Sequence, residues 1–440
     1  MKRRMTAWLL LLALITGILC GCKDEKTPET TGAAEDIGLT ASLTLVCPIQ
    51  GAALEEIGAQ LAVFKERFPN VDVNLVTDPN AEGATVALVT PAEAYGYYQE
   101  GLLADMDTWA NDSGLVLDRQ GNMSSTGLTD EQKADLVELF YEEGCSFEKD
   151  SIYMMPFYRE SHVLYYNRTY IEERDMPNPY SWESVEQICA AIKQENPEAT
   201  PLFCNDMTGL FLSLCAQHGA EYTAEGGLAG LLGSDGAYKA LSMLNDWYAK
   251  GYMTTDSIQG KTGKLSMEDG VYMVIGSSAD SAQQAPALEN ESFDFELGVT
   301  TLPHFEEMTG KVLVQGPGLV ILRTDDDDQM LAAWLLVKHL TLDVAFQAKL
   351  AMAGSYIPVL TSVEVNESYS DYLDHADGGD NFKALTALTG MEQQHNYFTA
   401  PVYEGVATDM DAIGQLVNSC VTMTGDVETQ IQAAIEALMK

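Results

Sequence analysis

The order of patterns between Ser42 and Gly101 limits the fold of this chain more than any other feature. SLTLVCPI (Ser42 to Ile49) is a nearly unbroken apolar run, as expected of a strand buried on both faces. Leu54, Ile57, Leu61, Phe64 and Phe68 then recur at helical spacing, and Pro69 and Asn70 end that helix. VDVNLV (Val71 to Val76) alternates with period two, TVALVT (Thr85 to Thr90) is another short apolar run, and Pro91 opens a helix ending near Gly101. This β-α-β-α order predicts a mainly parallel sheet covered by helices. The theme returns later: VYMVIG (Val271 to Gly276) and VLVQGPGLVIL (Val312 to Leu322) read as strands, and QMLAAWLLVKHL (Gln329 to Leu340) as a buried helix. Val427, Ile431, Ile435 and Leu438 give the final helix one apolar stripe. The 440 residues exceed what one hydrophobic core serves, so two domains are expected.

The N-terminus speaks to compartment. Lys2, Arg3 and Arg4 precede an apolar run from Ala7 to Leu19, too short for a comfortable membrane span, and LCGC (Leu19 to Cys22) follows. The ending resembles the bacterial lipoprotein box, which implies cleavage before Cys22 and lipid on its sulfur. KDEKTPETTGAAED (Lys23 to Asp36) has no apolar periodicity and reads as a disordered tether; about 15 such residues span up to ~50 Å. The chain carries 24 basic and 66 acidic residues, a formal charge of −42, and loss of the leader leaves 21 against 66, or −45. Nucleic acid is thereby excluded as a partner. Six further cysteines, Cys47, Cys145, Cys189, Cys204, Cys215 and Cys420, show neither a CxxC pair nor a metal spacing and read mostly as buried thiols.

Motifs for chemistry are absent or incomplete. QGKTGK (Gln259 to Lys264) contains GKT but has Thr255 where a phosphate loop needs glycine. GPG (Gly316 to Gly318) lacks the third glycine of a dinucleotide fingerprint, and DHADGGDN (Asp374 to Asn381) places Ala376 at a calcium-ligand position. DDDD (Asp325 to Asp328) stands before a helix and reads as a cap. No HExxH or GxSxG occurs. No metal or cofactor is expected. In contrast, PFYRESHVLYYN (Pro156 to Asn167) interrupts apolar residues with Arg159, Glu160, Ser161 and His162, whose polar groups need partners because unpaired buried charge is costly. His162 reads as a packed strand residue.

An ordered series of segments resembles the family 1 extracellular solute-binding proteins, the capture components of ATP-driven (ABC) importers. VALVTPAEAYGYYQEGLLADMDTW (Val86 to Trp109), IYMMPFYRESHVLYYNRTYIEE (Ile152 to Glu173), PYSWESVEQI (Pro179 to Ile188), MEDGVYMVIGSS (Met267 to Ser278), FELGVTTLP (Phe295 to Pro303), VQGPGLVIL and GSYIPV (Gly354 to Val359) follow the family's order. The resemblance implies an α/β fold of the two-lobe, type II periplasmic-binding-protein kind, with mainly parallel sheets flanked by helices and a hinge of multiple crossovers. It implies lobe one from 41–157 plus 299–345 and lobe two from 158–298 plus 346–440, behind the leader over 1–21 and the tether over 22–40 read from the N-terminus.

On that reading Pro156 to Asn167 carries the chain from lobe one to lobe two, and Arg159 and Glu160 face a wet cleft to meet ligand hydroxyls; the alternative is an Arg159–Glu160 ion pair. Carry-over from the glycerol-phosphate branch places Ser277 or Ser278, Gly316 and Tyr356 at the ligand. That branch has serine where Arg159 and Glu160 stand and uses an arginine later than Arg323, the last one here. Maltose-type relatives stack sugar on a tryptophan where this chain has Ala279, so stacking falls to Tyr158, Tyr356, Tyr397 or Phe398. The expectation is a lipid-anchored, extracytoplasmic monomer that captures a carbohydrate by hinge closure, hands it to permease subunits and breaks no bond. Its rivals are an exported glycoside hydrolase using two carboxylates and an envelope protein that binds peptides or adheres.

Overall fold

The computed structural model describes residues 39–118, 123–260, 263–284, 295–376 and 381–439. The leader, Cys22 and nearly all of the tether lie outside them, as do parts of the 259–264 and 374–381 segments. Fourteen strands are found among the described residues: β1 (Ala41–Val46), β2 (Val71–Val76), β3 (Val86–Val89), β4 (Leu115–Leu117), β5 (Met123–Ser125), β6 (Met155–Pro156), β7 (Glu160–Asn167), β8 (Leu202–Cys204), β9 (Met253–Thr255), β10 (Met273–Ser277), β11 (Leu297–Thr301), β12 (Val312–Gln315), β13 (Gly318–Ile321) and β14 (Tyr397–Phe398). Apart from the β4–β5 hairpin they form two sheets. The first has the order β2-β1-β3-β13-β6; the second has the order β14-β12-β7-β10-β8-β9, with β11 also paired to β7.

Each sheet is parallel save for one strand. β13 runs against β3 and β6, and β7 runs against β10, β11 and β12. These are the strands the chain enters directly from the other sheet: β6 leads through Phe157 to Arg159 into β7, and β12 leads through Gly316 and Pro317 into β13. Links this short leave no room for the crossover helix that parallel entry demands. VLVQGPGLVIL is thus two strands in two sheets. This corrects the expected boundary at 299, because β11 and β12 pair with β7, so the return to the first sheet falls at Gly316–Pro317. The boundary at 346 also moves: the helix Val344–Gly354 packs on the helix Ala52–Arg67 of the first-sheet body, and the third passage follows it.

Local signals account for the elements. Thr90 and Glu93 form a reciprocal capping box at the start of the helix Pro91–Gln99, Ser181 caps Trp182–Glu195, and Asp326 of the DDDD run accepts from Gln329 N at the start of Asp327–Leu342. Asp327–Leu342 lies under the first sheet with Trp334 fully buried, its indole donating to Thr126 O. Met207–Gln217 and Phe382–Glu392 cover the second sheet. All six described cysteines are free, five of them buried, and burial pushes Cys47 up to about 12. No single described helix is long and apolar enough to cross a membrane.

Candidate functional site

The passages between the sheets bring β6, β7, β10, β12, β13 and the Ser355–Ile357 segment to one place. Arg159 is the centre of their packing. It is 0 % exposed, and its main chain pairs with Ile357 in both directions, at 3.0 and 2.7 Å. Its guanidinium lies 2.6 Å from the Glu143 carboxylate and donates to the carbonyls of Gly316 (2.9 Å), Pro317 (3.0 Å), Tyr158 (3.2 Å) and Phe140 (3.4 Å). Both sequence expectations for Arg159 are therefore corrected: it reaches neither an open groove nor Glu160. Successive side chains of an extended strand point to opposite sides, which sends Arg159 inward and leaves Glu160 on the other face. Burial pushes the Glu143 carboxyl up against the pull of Arg159.

Glu160 opens β7 half-buried, and Ser277 Oγ donates to its Oε2 at 2.7 Å. Strand register produces the pairing, setting Glu160 opposite Gln315 and His162 opposite Ser277. Ser277 in turn caps the short turn Ser278–Asp280, with Ala279 N on its hydroxyl and Asp280 Oδ2 on its amide. Asp206, the cap of Met207–Gln217, lies 3.2 Å from His162 Nε2 and 3.5 Å from Gln315 Nε2. Burial pushes Glu160 and Asp280 up. Proximity to Asp280 and Asp206 adds to the effect on Glu160, while Ser277 and His162 oppose it. Burial alone would raise Asp206, but His162, Gly209 N and Gln315 hold it below the ordinary range.

Beside Glu160, Tyr158 and Tyr356 stack at 3.8 Å with ring planes 17° apart. Both are half-buried, and burial and nearby Glu160 push the Tyr356 hydroxyl up to about 12. Gly316 is required by close approach: a Cβ there would stand 2.3 Å from Tyr158 O.

The structure thus brings Tyr158, Glu160, Ser277, Gly316 and Tyr356 together. Two other expected residues face inward. Ser278 is 0 % exposed with its hydroxyl accepting from Ser161 N, and Tyr397 is buried with its hydroxyl on Gly390 O. Asp206, Asp280 and Gln315 were missed. The Ser277-x-x-Asp280 capping spacing and the position of Asp206 just before a helix were available signals; Gln315 owes its place to register alone. Among the described residues no group of His, Cys, Asp and Glu is arranged to hold a metal ion.

Two surface cavities, of about 340 and 440 Å³, lie elsewhere, one beside Arg67, Lys338 and His339 and one beside Lys133 and Tyr141. The helix Val406–Val421 contacts Pro91–Gln99, and Val402 belongs to the same apolar cluster as Val46, Ala87 and Ala94 of the first-sheet body.

Residues 69–377 match the family described as bacterial extracellular solute-binding protein. Solved structures of the same architecture include the GacH receptor of Streptomyces glaucescens, determined unliganded and with acarbose (TM-score 0.70, 16 % identity, 91 % of this chain and 97 % of that one). The cyclic alpha-maltosyl-1,6-maltose binding protein of Arthrobacter globiformis is similar at TM-score 0.70 and 14 % identity, covering 91 % and 98 %. UgpB of Mycobacterium tuberculosis, solved with glycerophosphocholine, is similar at 0.68 and 16 %, covering 91 % and 98 %. No curated protein sequence matches. At such identities the likeness speaks for the fold, while the family match spans more than two thirds of the chain. Two sheets joined by short direct links, with polar side chains gathered at the joints, belong here to a member of the bacterial extracellular solute-binding protein family, a transport receptor and not an enzyme.

Proposed function

We propose that this chain is the lipid-anchored capture component of an ABC importer and that it closes its two lobes around a carbohydrate. The observation that carries the reading is the set Glu160, Ser277, Gln315, Tyr158 and Tyr356 at the passages between the sheets. Half-buried acceptors and donors beside aromatic rings are what a polyhydroxylated solute requires: each hydroxyl both gives and takes a hydrogen bond, while ring C–H faces pack on aromatic carbon. The relatives solved with acarbose and maltose point the same way.

The charge of the site favours a ligand without phosphate. The charged neighbours that act most on Glu160 are Asp280, His162 and Asp206, and Arg159 is spent on Glu143 and main-chain carbonyls. A phosphate would meet like charge in a place where burial strengthens repulsion. Anchoring follows from the leader and Cys22, and a second acyl chain is what makes such an anchor stable. Closure needs no chemistry, only higher affinity of the ligand for the closed form.

The test is a panel of neutral mono- and oligosaccharides, polyols and phosphorylated polyols added to the purified protein. A sugar that raises the melting temperature and compacts the particle in solution scattering supports the reading. A panel in which only a phosphorylated polyol, or nothing, does so overturns it.

A further inference from the structure

The three passages between the sheets share one residue. Phe157 to Arg159 is the first, Gly316–Pro317 the second and Ser355–Leu360 the third. Arg159 is part of the first, donates through its guanidinium to both carbonyls of the second, and exchanges two main-chain hydrogen bonds with Ile357 of the third. The same guanidinium reaches back to Glu143 and the Phe140 carbonyl on the helix Glu138–Cys145, with the Phe140 ring 5.2 Å away, and that helix packs on β6 of the first sheet. One residue further on, Glu160 belongs to the second sheet.

We propose that Arg159 is the positioning residue of the hinge: it fixes all three passages to the first-sheet body, so that the second sheet turns as a unit immediately beyond it, carrying Glu160 and Ser277 toward the ligand. The inference rests on the reading of the chain as a receptor that captures by closure. The physical case is one of donors and reach. A planar fork of five N–H donors can hold a carboxylate and several carbonyls at fixed angles, as a lysine ammonium on a flexible stem cannot. Here only Nε is left without a partner. Buried, such a pair is weak evidence for stability, since two apolar residues of similar volume serve as well; its value lies in holding one arrangement. Without the fork the Gly316 and Pro317 carbonyls lose their shared donor, and the first and second passages are no longer tied to Glu143 and so bend independently of the first-sheet body.

The experiment uses the full-length chain without added ligand. Spin labels carried on unnatural residues are placed at positions 100 and 404, both exposed and flanking the contact between Pro91–Gln99 and Val406–Val421. Their distance distribution is then measured in the parent, in R159K, and in the double variant E143Q/R159M, which leaves no orphaned buried charge. The parent should give one narrow distribution. The double variant should keep a melting temperature close to the parent's while its distribution becomes about twofold broader, and R159K should broaden similarly because its single ammonium cannot span Glu143 and both carbonyls.

A merely structural role would lower the melting temperature and leave the distribution narrow; that result in R159K, alone or with the double variant, overturns the proposal. Should the double variant not fold, R159K decides. The capture reading fails separately: if no sugar moves the parent's distribution but the variants still broaden it, the clamp stands and the function does not.

Discussion

The Ser277 hydroxyl donates to the Glu160 carboxylate at 2.7 Å, joining the last residue of β10 to the first of β7. Two strands that meet antiparallel thus present one acceptor oxygen already oriented and one still unspent. Glu160→Gln keeps the shape and removes the charge. Sugar affinity should fall about 10- to 100-fold, the cost of exchanging a charged acceptor for a neutral one. The melting temperature should hold or rise, because Asp206 and Asp280 lose a like-charged neighbour. Titration calorimetry with the sugar found by the panel measures the first effect; an unchanged Kd would remove Glu160 from the site.

Acid should stabilise the protein over the upper part of the carboxylate range. Glu143, Glu160 and Asp280 all bind protons more tightly in the folded state than an exposed acid does. Between the ordinary value, about 4, and their raised folded values the native state holds more protons, so stability falls as pH rises through that window. Asp206 has the opposite sign, and its contribution is lost only below the ordinary aspartate value; His218 and His339, which burial holds below the ordinary histidine value, also have the opposite sign and lose their contribution as pH falls through that value. Calorimetry at pH 5 and pH 7.5 on the parent and on E160Q isolates the Glu160 contribution: the variant should gain melting temperature relative to the parent as pH rises. A difference between parent and variant that does not change with pH contradicts the assignment.

The stacked tyrosines separate packing from polar contact. Tyr356→Ala removes a half-buried ring and its 3.8 Å partner, and should destabilise by about 2–3 kcal/mol, below the range of a fully buried ring. Sugar affinity should fall with it. Tyr356→Phe should retain stability, and any loss of affinity it shows reports the hydroxyl alone. Chemical denaturation and calorimetry on both variants distinguish these outcomes.

Gly316→Ala tests the close approach at the second passage. The added methyl would meet the Tyr158 carbonyl at 2.3 Å, and main chain cannot rotate out of the way as a side chain can. A loss of about 1–3 kcal/mol is expected, typical of overpacking. A variant as stable as the parent would mean that the Gly316–Pro317 link has slack.

The proposed lipid anchor has its own test. Cys22→Ala should release the exported protein from the membrane fraction and abolish incorporation of labelled fatty acid, since only Cys22 follows the small residue Gly21. Retention in membranes with labelling intact would place the lipid elsewhere.

Much of the scaffold was readable because burial leaves periodic marks. The first strands and helices fall where apolar spacing puts them, and Thr90, Ser181 and Asp326 begin helices as their side-chain chemistry suggests. What could not be read was set by pairing between distant segments. PFYRESHVLYYN announces that polar groups need partners but not which face each takes, so Arg159 was expected at the ligand, although its partner is Glu143, sixteen residues earlier. Gln315 becomes a neighbour of Glu160 only through β7–β12 register. VLVQGPGLVIL looks like continuous strand, and nothing in its periodicity reveals that Gly316 and Pro317 pass it from one sheet to the other.

Val402, lodged in the apolar cluster of the opposite body, carries a kinetic consequence. On the proposed capture mechanism this contact has to part before solute can enter, so the observed rate of solute binding should level off at high solute concentration instead of climbing without limit. The plateau would be the protein's own opening rate, a property of this valine and of the surface it covers, not of the sugar.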